Sequence, residues 1–169
     1  MGLLDIYPIV NLRRNHGLEH ATIHVLSERN PGLSLVGKSD MTGFSLYGAV
    51  DTAEVKHAVK EALRRLRAGQ SDLAIHPRCG TILATTGVLT GFSVFLTLGL
   101  GAIPKKKFRW GAFPEAILAA TLAALAAQPL GMFLQEHITV SGQPGRLEVR
   151  NITRSTKHRM MVHRVLTGQ

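Results

Sequence analysis

His16-Gly-Leu-Glu19-His20 spells H-x-x-E-H. On a helix, residues four apart share a face, so both imidazoles can address one metal ion. Glu19 between them is placed to act as general base on a water that the ion activates. On a helical wheel with His16 at the origin, His20 lies at about 40°, His24 at about 80° and Glu19 at about 300°. Leu18, Ala21 and Val25 occupy the opposite side, and Ile23 and Leu26 flank Glu19. The stripe of histidines therefore runs along one edge of a largely apolar helix. A buried imidazole or carboxylate needs partners, and a metal would satisfy several at once. The bland alternative is a set of hydrogen-bonded core or surface histidines.

A catalytic zinc takes a third protein ligand and keeps one open position. Two places compete to supply it. One is the second helix, where Glu54 and Glu61 stand seven apart with His57 between them. These residues share their face with Lys60, Arg64 and Arg65, opposite the apolar side of the same helix. That is the pattern of a solvated, ion-paired surface. The other is His76-Pro-Arg-Cys79-Gly80, where histidine and cysteine three apart can chelate one ion in a turn set by Pro77 and Gly80. If His76 and Cys79 both bind, the site is closed and structural. If only one binds, a water can take the fourth place and Glu19 can deprotonate it. A strand-to-helix corner with an incidental thiol is the plain alternative. A dinuclear carboxylate centre would need more inward glutamates than the chain offers. His137, His158 and His163 lie in basic surroundings and read as surface residues.

Several elements must position these groups. Asn15 reads as the N-cap of a helix to about Glu28, which Asn30-Pro31-Gly32 ends. Leu33 to Val36 and Gly43 to Gly48 read as strands, the second by its alternation of Phe44 and Leu46 with Ser45 and Tyr47. Asp51 or Thr52 caps an amphipathic helix to about Arg67, with Val55, Val59, Ala62 and Leu66 at helical spacing. Leu73 to Ile75 reads as a short extended piece. Near the other end, Leu147, Val149 and Ile152 alternate with polar residues up to a bulge near Asn151, and Met160 to Val165 forms a last strand.

Between these parts lie two apolar runs. Ile82 to Pro104 has no charged residue, and Ala112 to Leu134 carries only Glu115. At the rise of an α-helix each is long enough for a ~30 Å hydrocarbon core. They read as a transmembrane helical hairpin, joined by a loop with Lys105, Lys106, Lys107 and Arg109. Gly87-x-x-x-Gly91 and the alanines of the second span permit close helix approach, within the hairpin or to a membrane-protein partner or second copy. The expected fold is α+β with this hairpin: an N-terminal α+β region over 1–80, the hairpin over 81–136, and a β region over 137–169. The small antiparallel sheet and two helices are built from both ends of the chain.

Charge supports the membrane reading. The chain has 20 Lys and Arg against 11 Asp and Glu. Residues 1–79 are nearly balanced, with ten basic and eight acidic side chains. The excess flanks the apolar runs, where membrane proteins carry it. Aromatics are few and form no stripe with basic residues, so the lipid bilayer rather than nucleic acid is the expected partner. One cysteine, Cys79, excludes an internal disulfide. The first fourteen residues lack a basic start and a small-residue cleavage site, and read as an interfacial or packing segment instead of a signal peptide. The expected location is the bacterial cytoplasmic membrane, with both termini in the cytoplasm.

The block Asn15-His-Gly-Leu-Glu-His-Ala-Thr, the block His76-Pro-Arg-Cys-Gly-Thr81 and the two spans resemble an uncharacterised family of small bacterial membrane proteins, a domain of unknown function. The resemblance covers most of residues 10–135. It implies that His16, Glu19, His20, His76 and Cys79 belong together, and it implies no activity. H-x-x-E-H and the spaced pair Glu54 and Glu61 also resemble the inverted zinc peptidases, although the interval from His20 to Glu61 is shorter than theirs and their second half is missing. The reading is a small integral membrane metalloprotein, a zinc-dependent hydrolase at the membrane face, a peptidase included. The alternative is a non-enzymatic membrane subunit or assembly factor with a structural metal or none.

Overall fold

The computed structural model describes residues 4, 6–99, 110–157 and 160–168. The basic loop from Lys105 to Arg109, and His158, lie outside them. The chain forms two compact units, one from Met1–His76 with Glu136–Gln169 and one from Pro77–Gln135. The fold is mixed α+β, and its sheet is small and antiparallel.

In the first unit, helix α1 spans Ile9–Arg29. It begins six residues before the cap expected at Asn15. Asn15 is fully buried inside the helix instead. Its Nδ2 donates to the Asp40 carbonyl at 2.8 Å, and its Oδ1 accepts from the Thr167 hydroxyl at 2.7 Å. A side chain satisfied by two distant segments has no need of local capping work. Nine residues of α1 are buried, around most of its circumference. This is the central helix of the unit, which is why its apolar residues are spread around the wheel and not confined to one narrow stripe.

The sheet lies against α1 on one side. Strands β1 (Val36–Asp40), β2 (Gly43–Tyr47), β3 (Glu148–Lys157) and β4 (Met160–Gly168) pair antiparallel in the order β1-β2-β4-β3. β1 starts where the expected strand ended. Its neighbour β2 buries Phe44 and Leu46, as the alternation requires. Gly43 sits at φ +147°, and a Cβ there would run into the Val165 carbonyl, so only glycine serves at this corner. The register shifts between Val149 and Asn151, the bulge that the broken alternation implies.

Helix α2 spans Thr52–Arg67, with the Asp51 side chain accepting from the Ala53 N–H at 2.7 Å. Glu54 in its first turn and Arg64, Arg65 and Arg67 in its last complement the helix dipole. Its buried face, Val55, Ala58, Val59, Ala62, Leu63 and Leu66, packs with Leu18, Val25 and Leu26 of α1 and with Phe44, Leu46 and Val165 of the sheet. Each large aliphatic side chain buried in that cluster contributes about 1.5–3 kcal/mol. The stretch expected as extended forms a 3-10 turn at Ser71–Ala74, closed by the Ile75 N–H to the Asp72 carbonyl.

The second unit is a pair of helices, α3 (Gly80–Gly99) and α4 (Phe113–Leu134), the latter running on through a π-type turn at Gln135–Thr139. Among the described residues these are two helices long and apolar enough to cross a membrane, with mean hydropathy 1.7 and 1.8. Only 11% of each apolar window is buried. Leu83, Val88, Phe95 and Leu125 are each more than half exposed. A core helix of a soluble protein would bury such residues. The hydroxyls of Thr85, Thr86, Thr90 and Thr97 each donate to the carbonyl four residues back, which hides their polarity within the helix. The helices come close at Gly131, where a Cβ would lie 2.8 Å from the Ile82 side chain. Gly87 and Gly91 face open space. The G-x-x-x-G notch is therefore not what joins α3 to α4.

Candidate metal centre

α1 brings His16 and His20 together with ring centroids 4.5 Å apart. His20 is buried, and His16 is partly open. The Nδ1 of His20 lies 2.7 Å from the Ala74 carbonyl, and the Nδ1 of His16 lies 3.1 Å from the Thr139 carbonyl. A carbonyl can only accept, so each Nδ1 carries the hydrogen and donates. In the neutral ring this leaves Nε2 of both residues with its lone pair. Main-chain carbonyls that fix the tautomer of a histidine in this way are the usual outer support of a metal ligand. Both carbonyls come from segments far along the chain, the 3-10 turn and the π-type turn.

The stripe continues. His24 donates from Nε2 to the Ile75 carbonyl at 3.2 Å, the opposite tautomer from its neighbours. His76 stands beside both, 5.8 Å from His20 and 5.4 Å from His24 between ring centroids. So the structure brings His16, His20, His24 and His76 into one cluster at the edge of α1. Cys79 belongs to the second unit, three residues further along the chain, and is buried. Its carbonyl accepts the Ile82 N–H at 3.0 Å, and its sulfur accepts the Thr81 N–H at 3.4 Å, so it stands at the amino end of α3. A helix amino end favours negative charge such as a thiolate. His16 and His20 of the first unit, and Cys79 of the second, are each of a residue type that can bind a metal ion.

Glu19 is buried on the same helix and accepts a hydrogen bond from the Ser39 hydroxyl of β1. Its carboxylate rests over Gly37, where any side chain would collide with it. Burial pushes its pKa up, against the pull of the Ser39 bond and of nearby His16. A carboxyl group held in that state can take up a proton more readily than an exposed one.

On the second helix, Glu61 is engaged in ion pairs. Glu61 is held by Arg64 at 2.7 Å and Arg65 at 2.8 Å, and Arg65 also reaches Glu28 at 2.8 Å. The Arg64 and Arg65 hydrogen bonds draw the Glu61 pKa down to about 2. His57 meets the Arg29 guanidinium at 3.3 Å. This is the solvated, ion-paired face that the wheel implies. Ser39 and Gly37, which seat the Glu19 carboxylate, carry no local signal in the sequence. His24, on the same histidine stripe in the sequence, meets the His76 ring. His163, expected at the surface, is fully buried and bonds through Nε2 to the Thr52 hydroxyl at 2.9 Å.

The chain is 37% identical over 151 residues to an uncharacterised protein of the cyanobacterium Picosynechococcus sp., a match covering 82% of this chain and 72% of that protein. No solved structure matches it. The family model described as "Domain of unknown function (DUF6391)" matches residues 11–152, which takes in most of α1, the histidine cluster, both apolar helices and the start of β3. The chain belongs to that family of unknown function.

Proposed function

We propose that this protein is a small integral membrane zinc protein with hydrolase activity at the membrane face. The observation that carries the reading is the common setting of His16 and His20, each turned by a main-chain carbonyl so that Nε2 keeps its lone pair. The segment His76-Pro-Arg-Cys79 supplies the third ligand, with Cys79 preferred for its donor chemistry. Bound zinc would supply Lewis-acid activation of a water molecule. Glu19 acts as general base, since burial raises its affinity for a proton. The exposed apolar surfaces of α3 and α4 support insertion of the hairpin in the bacterial cytoplasmic membrane. In this reading both termini face the cytoplasm.

The test combines metal content with activity on detergent-purified protein. The wild type binds about one equivalent of zinc, and His16→Gln with His20→Gln abolishes it. Glu19→Gln keeps zinc and stability and abolishes hydrolysis across a panel of peptide and ester substrates. A metal-free wild type would sink the reading.

One observation favours a second reading, a non-enzymatic membrane subunit or assembly factor with a structural metal. Glu19 is tied to Ser39 and seated over Gly37, as a core residue would be. In that case Glu19→Gln lowers stability, and the wild type hydrolyses nothing.

A further inference from the structure

The amino end of α1 and the residues before it present four large apolar side chains to solvent. Ile6 is 52% exposed, Tyr7 75%, Ile9 39% and Leu12 36%. None belongs to the core cluster of the unit. Single exposed apolar residues are ordinary, but several within one short segment are not. Arg13 fixes where this segment lies. Its guanidinium donates to the Leu4 carbonyl at 3.4 Å, to the His137 carbonyl at 3.2 Å and to the Val140 carbonyl at 3.0 Å. The Ser141 N–H returns a bond to the Arg13 carbonyl at 3.0 Å. Gly17, one turn on, has no room for a side chain against the Ser141 carbonyl. The segment before α1 and the chain at 137–141 are thus laced side by side.

That second strand of chain is the end of the longer apolar helix, whose candidate span runs Phe113–Thr139. Ile138, between the two carbonyls that Arg13 grips, is itself 43% exposed. The apolar side chains at the start of α1 therefore stand beside the point where that helix ends. We infer that Ile6, Tyr7, Ile9 and Leu12 form an interfacial anchor, seated in the headgroup–acyl boundary of the bilayer next to the exit of α4. This rests on the membrane reading above. Continuity with the apolar helix sets the depth, and the composition fits it. Aliphatic residues enter the acyl edge, and Tyr7 places its ring at headgroup level. The occupant is lipid, and a second copy of the chain is the competing cover.

Full-length protein reconstituted in phosphatidylcholine–phosphatidylglycerol vesicles tests this. Trp110, the only tryptophan, is replaced by phenylalanine, and single tryptophans are introduced as Tyr7→Trp, Ile9→Trp and, in α3, Phe92→Trp. Vesicles carry bromolipids labelled near the headgroup or deep in the chain. Tryptophan at 7 and 9 is expected to lose fluorescence to the shallow label more than to the deep one. Loss at 92 with none at 7 or 9 overturns the anchor and leaves the membrane reading standing. Blue-shifted emission at 7 and 9 that no bromolipid quenches means a second copy covers them, and also overturns it. No quenching at any of the three positions overturns the membrane reading itself.

Discussion

The carboxylate of Glu19 fills the space that a side chain at Gly37 would occupy. This contact ties the helix that carries the histidines to the edge strand of the sheet, and Ser39 completes the tie by donating to the same carboxylate. It holds Glu19 in one place, which a general base needs as much as a structural residue does. Glycine in a strand normally costs stability, so Gly37→Ala in an ordinary strand would be neutral or helpful. Here the added methyl must displace a buried carboxylate. Gly37→Ala is expected to destabilise the protein by about 1–3 kcal/mol, measured by denaturant unfolding in detergent. A variant as stable as the wild type would mean that Glu19 is not seated there.

Zinc titration tests the histidines of α1 against the carboxylate of the second helix. His20→Gln is expected to weaken binding by more than about tenfold, since loss of even a supporting group has effects of that order. Glu61→Gln is expected to leave binding unchanged, because Glu61 is engaged by Arg64 and Arg65. Weaker zinc binding in the Glu61 variant would return the second helix to the site.

Acid stability has two expected windows. Burial holds the His163 pKa below its ordinary 6.5, helped by Arg154 and opposed by Asp51. The unfolded chain then takes up the proton first as pH falls, so stability is constant above about 6.5 and drops below it. The slope is of order 1 kcal/mol per pH unit at most. His163→Gln should flatten this region of a stability–pH curve, and an unchanged slope would assign the loss elsewhere. A second window belongs to Asp40, drawn from 3.8 to about 2 first by its hydrogen bond to Arg164. Its contribution is present above about 3.8 and lost as pH falls toward 2, and for a half-exposed pair it is about 1 kcal/mol or less.

The hairpin offers a test of which small residues matter. Gly131→Val is expected to force α4 off Ile82 and lower hairpin stability by about 1–3 kcal/mol. Gly87→Leu and Gly91→Leu point into open space and are expected to leave it intact. Cysteine cross-linking between α3 and α4 in membranes reads both effects. Equal disruption by Gly87→Leu would place the notch at the helix contact.

The sequence alone was enough for whatever depends on neighbours in the chain. The i, i+4 spacing of His16, His20 and His24 puts them on one edge of a helix wherever that helix goes. The apolar face of α2, its Asp51 cap, the ion-paired setting of Glu61 and the length of the two apolar helices are likewise local consequences of periodicity and composition. Tertiary structure decided the rest, because it depends on groups far apart in sequence. The tautomers of His16 and His20 are set by the carbonyls of Thr139 and Ala74. Asn15 is an interior residue and not a cap because Asp40 and Thr167 satisfy it. Gly37 and Ser39 become the seat of Glu19 only when β1 packs on α1. The orientation of Gly87 and Gly91 depends on how α3 rotates against α4, and helix rotation is a packing outcome that no spacing rule contains.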